Sequence, residues 1–73
     1  PATTIEFSLP EKSDVTITIY NSLGEIVKIA ATGVINAGIN KITFDASQLA
    51  SGVYLYTLNA GSFTQTKKMV LIK

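Results

Sequence analysis

The chain has 73 residues, a net charge of +1 and neither cysteine nor histidine, which is consistent with one small domain without disulfides. Its hydrophobic fraction of 47% and charged fraction of 15% are typical of a folded chain rather than a disordered one. The small net charge argues against a nucleic-acid partner, because duplex binding normally requires clustered lysine and arginine. No run of about 20 apolar residues is present, so membrane insertion is not expected.

Alternating apolar and polar residues predict antiparallel strands through the first two thirds of the chain. The predicted strands cover residues 4–9, 14–20, 25–31 and 39–44. Pro10 ends the first of them, since proline has no N–H to donate to a ladder. Gly33 and the segment 36–38 predict a loop between the third strand and the fourth. Asp45 is then expected to cap a single helical turn over residues 45–49 by accepting backbone N–H groups.

The last third of the chain predicts a hairpin. Gly52 opens its first strand, a turn at 59–61 reverses the chain, and the second strand covers 63–73. Tyr54 and Tyr56 share one face, and one hydroxyl is expected to bond to the backbone, as in a tyrosine corner. Terminal strands usually fray, whereas this one is apolar and carries lysines to its last residue. The pattern indicates that the C-terminal end of this strand itself has a functional role.

Taken together, the pattern predicts a small antiparallel β-sandwich of immunoglobulin or fibronectin type, with six strands, or seven if a bulge splits the last. All five acidic residues precede residue 46, so the C-terminal hairpin is mildly cationic. Lysines on an edge strand also protect it from aggregation. Alternation assigns Lys67 and Lys68 to opposite faces, so one of them is expected to point inward or to lie at a bulge.

The sequence contains no recognisable catalytic or metal-binding group of residues. Without histidine or cysteine, Ser–His and Cys–His catalysis and the usual zinc ligands are absent. The acidic residues are isolated in turns or on polar faces, which argues against a glycosidase pair and against a calcium loop. The aromatic residues include no tryptophan and are better explained by packing than by a sugar-binding platform. We therefore expect no enzymatic activity and no cofactor.

Four blocks of sequence, in a fixed order, resemble one known family. They are Thr-Ile-Glu-Phe-Ser-Leu-Pro at 4–10, Tyr-Asn-Ser-Leu-Gly-Glu at 20–25, Ser-Gly-Val-Tyr-Leu-Tyr at 51–56, and Gly-Ser-Phe-Thr-Gln-Thr-Lys-Lys-Met-Val-Leu at 61–71. Together they resemble the type A C-terminal sorting domain of the type IX secretion system, which closes exported proteins of Bacteroidetes. The immunoglobulin-like module of flagellar hook-capping proteins shares the early motifs. The Gly-Val-Tyr block and the Lys-Lys-Met-Val-Leu-Ile-Lys ending favour the sorting domain.

The resemblance implies that residues 1–73 are a single C-terminal sorting domain excised from a larger secreted protein. It implies a non-catalytic signal that the outer-membrane translocon and its shuttle proteins recognise, and that a sortase-type signal peptidase commonly removes. The cargo would pass through the periplasm to the outer-membrane surface or the medium. The alternative is a passive immunoglobulin-like accessory module, such as a spacer, an adhesion domain or a carbohydrate-binding domain on a surface enzyme.

The terminal strand is expected to carry the recognition. A strand with free backbone groups can add to another sheet or dock in a groove, while alternate side chains supply specificity. Such a strand also permits self-association by swapping. The expected translocon contacts are Lys67, Lys68, Met69, Val70, Leu71, Ile72 and Lys73, and the residues expected to shape the hairpin are Gly52, Tyr54 and Gly61.

Overall fold

A computed structural model of the protein describes residues 2–72, where all regular secondary structure is β-strand. The strands are β1 (Ala2–Leu9), β2 (Ser13–Tyr20), β3 (Ile26–Ile35), β4 (Gly38–Asp45), β5 (Gly52–Ala60) and β6 (Phe63–Leu71). Two antiparallel sheets result: β1 pairs with β4, and the second sheet has the order β3-β2-β5-β6. The prediction of a small antiparallel β-sandwich is confirmed.

Strand β2 provides the centre of the core. It pairs with β3 on one side and with β5 on the other, so neighbouring strands flank its inward side chains. Val15, Ile17 and Ile19 are 0% exposed, as their alternation predicts. Removing one such aliphatic side chain from water contributes about 1.5–3 kcal/mol. The other buried apolar residues are Ile5, Phe7, Leu9, Phe44, Ala46, Tyr54, Leu58, Ala60 and Leu71.

Strand β3 is longer than the sequence predicts. It continues past residue 31 to Ile35, and Gly33 pairs with Val15 inside the strand instead of opening a loop. The prediction of a loop at Gly33 is wrong because β2 supplies a partner for the backbone there, which a local glycine signal does not reveal. Two register shifts in the β2–β3 pairing accommodate the extra residues of β3, as β-bulges do. The connection to β4 shrinks to residues 36–37.

The segment after β4 is a turn and not a helical turn. The Ser47 N–H donates to Asp45 Oδ1 at 2.9 Å, so Asp45 does accept the backbone bond expected of it. The Leu49 N–H donates to the Ala46 carbonyl oxygen at 3.0 Å, which closes one turn. The chain then crosses from the small sheet to the large one through residues 46–51.

Candidate functional site

The C-terminal hairpin pairs β5 with β6 without a register shift, from Gly52 opposite Leu71 to Ala60 opposite Phe63. The reversal is a two-residue loop whose first residue, Gly61, has a φ of 62°. Glycine with positive φ at this position is the arrangement of a type II′ turn, which matches the twist of paired strands. The turn predicted at 59–61 therefore lies further along, at residues 61–62, and no bulge splits the last strand.

The unbroken register settles how the two lysines are arranged. Lys67 lies opposite Tyr56, and Lys68 lies opposite Leu55. Lys67 consequently shares the inner face of the sheet with the buried Leu71, as one arm of the prediction required. Both lysines are nevertheless exposed, because the two-stranded sheet does not extend over this part of β6. The inner face of β6 is thus open to solvent where alternation alone suggests burial.

The start of β5 is held by a tyrosine corner. The Tyr54 hydroxyl donates to the Ala50 carbonyl oxygen at 2.7 Å, and the Tyr54 side chain is buried. The bond ties the 46–51 crossing to the strand that pairs with the chain end. Gly52 has a φ of 154°, which other residues rarely adopt, although a Cβ added there would meet no atom within 4 Å. Backbone conformation, and not crowding, is therefore what favours glycine at residue 52.

The residues expected to contact a translocon divide into anchored and accessible groups. Leu71 is only 7% exposed, and Met69 is half-buried against the core. Val70 is 56% exposed and Ile72 is 89% exposed. Residue Lys73 lies outside the described part of the chain. Packing of Leu71 holds the end of the strand in place, while the neighbouring side chains are available for contact.

A surface that the sequence reasoning missed lies beside these residues, on the outer face of the large sheet. Its apolar side chains come from all four strands, and register connects them: Tyr20 lies opposite both Ile26 and Leu55, and Val53 lies opposite Val70. Contiguous exposed apolar surface of this kind marks interaction sites. We define the outer patch as Tyr20, Ile26, Ile29, Val53, Leu55 and Val70. The sequence does carry a signal for this surface, because the side chains on both faces of residues 53–56 are apolar or aromatic.

The charge distribution leaves the β6 lysines unpaired. Within residues 2–72 the one ion pair joins Lys41 Nζ to Glu6 Oε1 at 3.9 Å, and it is exposed. Neither Lys67 nor Lys68 has a carboxylate partner in that range.

The pKa of the Asp45 carboxyl is lowered, mainly by the backbone N–H of Ser47 and then by the Ser47 side chain.

Residues 2–72 contain no cavity suited to a small molecule. They also bring together no three side chains of the kinds that bind metal ions. No helix with the length and apolar character needed to cross a membrane occurs in the described range. The arrangement that remains is an exposed edge strand with lysines and an adjoining apolar surface, which suits binding to another polypeptide.

Comparison with known proteins gave one finding. The sequence model of a family described as the secretion system C-terminal sorting domain matches residues 1–73. Neither the curated proteins nor the solved structures gave a match. The match extends over both sheets and the C-terminal hairpin, so it covers every strand described above.

Proposed function

The chain belongs to the family of type IX secretion system C-terminal sorting domains, and from that premise we propose that it is the non-catalytic export address of a larger cargo protein. Membership in the family implies export toward the outer membrane and the cell surface or medium. We further propose that residues 1–73 form a single domain at the end of that cargo. The outer-membrane translocon or a shuttle protein would recognise it, and a sortase-type peptidase would remove it.

The observation that carries this proposal is the exposure of two unpaired lysines on an unbroken edge strand. Strand β6 is the edge strand of the large sheet: one of its edges is bonded to β5 and the other is free. A receptor strand can pair with that free edge. Lys67 and Lys68 would then meet acidic groups of the receptor on the two faces of the extended sheet. Such charges raise association rates and select the correct partner more than they add affinity.

The apolar contribution would come from the outer face of the hairpin. Val70 and Ile72 lie next to the lysines and are exposed, so a receptor can cover them. Burying exposed apolar surface supplies about 25 cal/mol per Å² before the costs of association are subtracted. Leu71 and Met69 would act indirectly, by fixing the strand, and Gly52, Tyr54 and Gly61 would keep the hairpin in its shape. Lys73 belongs to the proposed contact set as well.

The test is export of a fused reporter. A periplasmic reporter carrying this domain is expressed in a type IX-competent bacterium, and its surface and medium fractions are measured. We expect export with the intact domain, and a reduction of about tenfold or more when Lys67→Glu and Lys68→Glu are combined, since both proposed charge contacts become repulsive. Removal of Met69–Lys73 should abolish export, although loss of buried Leu71 also weakens the fold.

A matched variant separates recognition from net charge. Lys12→Glu with Lys41→Glu changes the charge by the same amount on exposed residues away from β6, and it should leave export intact. It also removes the exposed Lys41–Glu6 ion pair, which contributes about 1 kcal/mol or less to stability. Circular dichroism of each purified domain verifies that the fold is retained. A reporter that stays in the periplasm with the intact domain would contradict the sorting role and support a passive accessory module. Equal export by the two double variants would contradict recognition through the lysines.

Self-association through β6 is a separate proposal. The same free edge that suits a receptor strand also suits the β6 strand of a second copy. Two sets of like-charged lysines would face each other in that arrangement, which disfavours it. Sedimentation over a range of protein concentrations measures it directly. A dimer that strengthens when Lys67 and Lys68 are replaced by alanine would support pairing through this edge.

A further inference from the structure

The small sheet is narrower than the large sheet that it covers. The two sheets are joined at one end by short links. Residues 36–37 connect β3 to β4, which lie near each other, and residues 10–12 connect β1 to β2. Because β4 lies on the β3 side, the unpaired edge of β1 faces the side of β5 and β6. The small sheet has two strands and the large sheet has four, so the large sheet extends beyond β1.

Burial of the side chains confirms where the cover ends. Leu58 of β5 is buried, whereas on the same inner face of β6 the Phe63 side chain is 41% exposed and Gln65 and Lys67 are exposed. Tyr56, which lies opposite Lys67, is half-buried. The exposed inner face of β6 is therefore the floor of an open groove, and the edge of β1 is its wall. The 46–51 crossing is tied to Tyr54, which lies opposite Met69 beyond Lys67 on this face.

We propose that this groove, defined by the β1 edge with Tyr56, Phe63, Gln65 and Lys67, accepts one extended peptide segment of a partner protein. The segment would pair with the unpaired backbone groups of β1 and become the third strand of the small sheet. Its inward side chains would alternate, placing apolar groups on Phe63 and Tyr56 and a carboxylate at Lys67. This site lies on the opposite face of β6 from Lys68, Val70 and Ile72. It shares Lys67 with the proposed translocon contact, but peptide binding to the purified domain is measured without the secretion machinery, so the two proposals can fail independently.

Charge selects the chemistry of the segment. Lys67 is the charged residue on the groove floor, and it has no carboxylate partner within residues 2–72. An acidic side chain at that register would therefore be favoured over a basic one. The wall is also suited to pairing, because β1 carries no lysine, and its one charged residue, Glu6, lies on the exposed face away from the core. Edge strands that avoid pairing usually carry lysines or inward-pointing charges, and β1 carries neither.

Geometry argues against a second intact copy as the occupant. Pairing the β1 edges of two copies about a two-fold axis would continue the small sheet from one copy into the other. The large sheets would then lie in a common layer, and each extends beyond its β1 although the two β1 strands are only about 4.8 Å apart. The β6 strands would overlap in space. A single strand fits the groove, whereas a symmetric pair of domains does not.

The test uses a defined probe and the 73-residue chain labelled with ¹⁵N. The probe is an eight-residue peptide, blocked at both ends, that alternates threonine with valine and has aspartate in place of one central valine. Titration followed by NMR should shift the amides of Ala2–Leu9 and Phe63–Lys67, and the bound peptide should slow hydrogen exchange in β1. Strongest protection in β6 without β1 would overturn the groove assignment, as would absence of binding.

Charge exchange tests the register. We expect Lys67→Glu to weaken binding of the aspartate peptide about five- to tenfold, in the range of partly exposed charge pairs. A peptide with lysine in place of aspartate should show the reverse preference. Lys12→Glu, in the turn after β1, is the charge-matched control and should leave affinity unchanged. Equal affinity of both peptides for both proteins would overturn the role of Lys67.

A second pair of variants tests the floor without altering charge. Phe63→Ala removes a ring from the groove and should weaken the probe several-fold, whereas Thr64→Ala alters the neighbouring residue on the opposite face and should not. Sedimentation of the chain alone checks the occupant. A stable dimer that blocks probe binding would show that a second copy fills the groove, and it would overturn the proposal.

Discussion

Strands β2 and β6 both direct every second side chain to the inner face of the large sheet, but that face has opposite surroundings in the two strands. In β2 the inward residues Val15, Ile17 and Ile19 are fully buried, while in β6 the inward Phe63 and Lys67 are exposed. The difference arises because β2 has a strand on both sides and a sheet above it, whereas β6 is an edge strand beyond the cover of the small sheet. Alternation therefore assigns a residue to a face, but the extent of the opposite layer decides whether that face is buried.

The strongest test of this contrast truncates one side chain in each strand. Ile17→Ala in β2 should lower the free energy of unfolding by about 2–5 kcal/mol, since it leaves a cavity in the core. Val70→Ala in β6, whose side chain is 56% exposed, should cost about 0.5 kcal/mol or less. Urea denaturation followed by circular dichroism measures both.

A milder variant covers the case in which Ile17→Ala does not fold. Ile17→Val keeps the shape of the side chain and should cost about 0.5–1.5 kcal/mol. If Val70→Ala proves as costly as the β2 variants, the contrast between covered and uncovered strands is wrong, and the outer patch is packed against something in the free domain.

The next test concerns the hydrogen bond that holds the start of the C-terminal hairpin against the 46–51 crossing. Tyr54→Phe removes the hydroxyl that donates to the Ala50 carbonyl oxygen, and the loss should be about 1–2 kcal/mol because the hydrogen bond is part-buried. Tyr56→Phe is the matched control, since the Tyr56 hydroxyl has no hydrogen-bond partner within residues 2–72. Chemical denaturation of the two variants should separate them, and equal losses would argue against the tyrosine corner as the fastening.

The contrast between β2 and β6 also marks how far the sequence could be interpreted. Alternation predicted the core face of β2, and the Gly-Val-Tyr block predicted the tyrosine corner, because both depend on neighbours that are close in the chain. The extension of β3 through Gly33 was missed, since its partner Val15 lies far away in sequence. Exposure of Lys67 was likewise not predictable, because it depends on where the small sheet ends. Whether the opposite sheet covers a strand depends on residues that are distant in sequence, so the sequence of that strand alone does not reveal it.

A smaller effect is expected at the tip of the hairpin. Gly61 has a φ of 62°, and an alanine there would pay about 1 kcal/mol for the left-handed conformation. Ser62→Ala, the neighbouring loop position with negative φ, should change stability by less than about 0.5 kcal/mol. Hydrogen exchange should show that the loss is confined to the Asn59–Thr64 end of the hairpin. A loss spread equally over β2 would mean that edge and core unfold together.

The smallest expected effect is a pH dependence of stability that arises at the start of the 46–51 crossing. The pKa of Asp45 is lowered from its ordinary value of 3.8, first by the Ser47 backbone N–H and then by the Ser47 side chain. Because the folded-state pKa is below the unfolded one, the stabilisation is present above pH 3.8 and is lost as the pH falls through the folded value. Asp45→Asn should therefore reduce the fall in the free energy of unfolding at low pH, which we call the acid limb, in urea titrations between pH 2 and 5. Ser47→Ala should keep most of it, since the backbone bond, which is the larger cause, remains. If Ser47→Ala removes the limb as completely as Asp45→Asn does, the side-chain bond is the dominant cause. If neither variant changes the limb, other carboxylates produce it, and the crossing is not the acid-sensitive part of the edge hairpin.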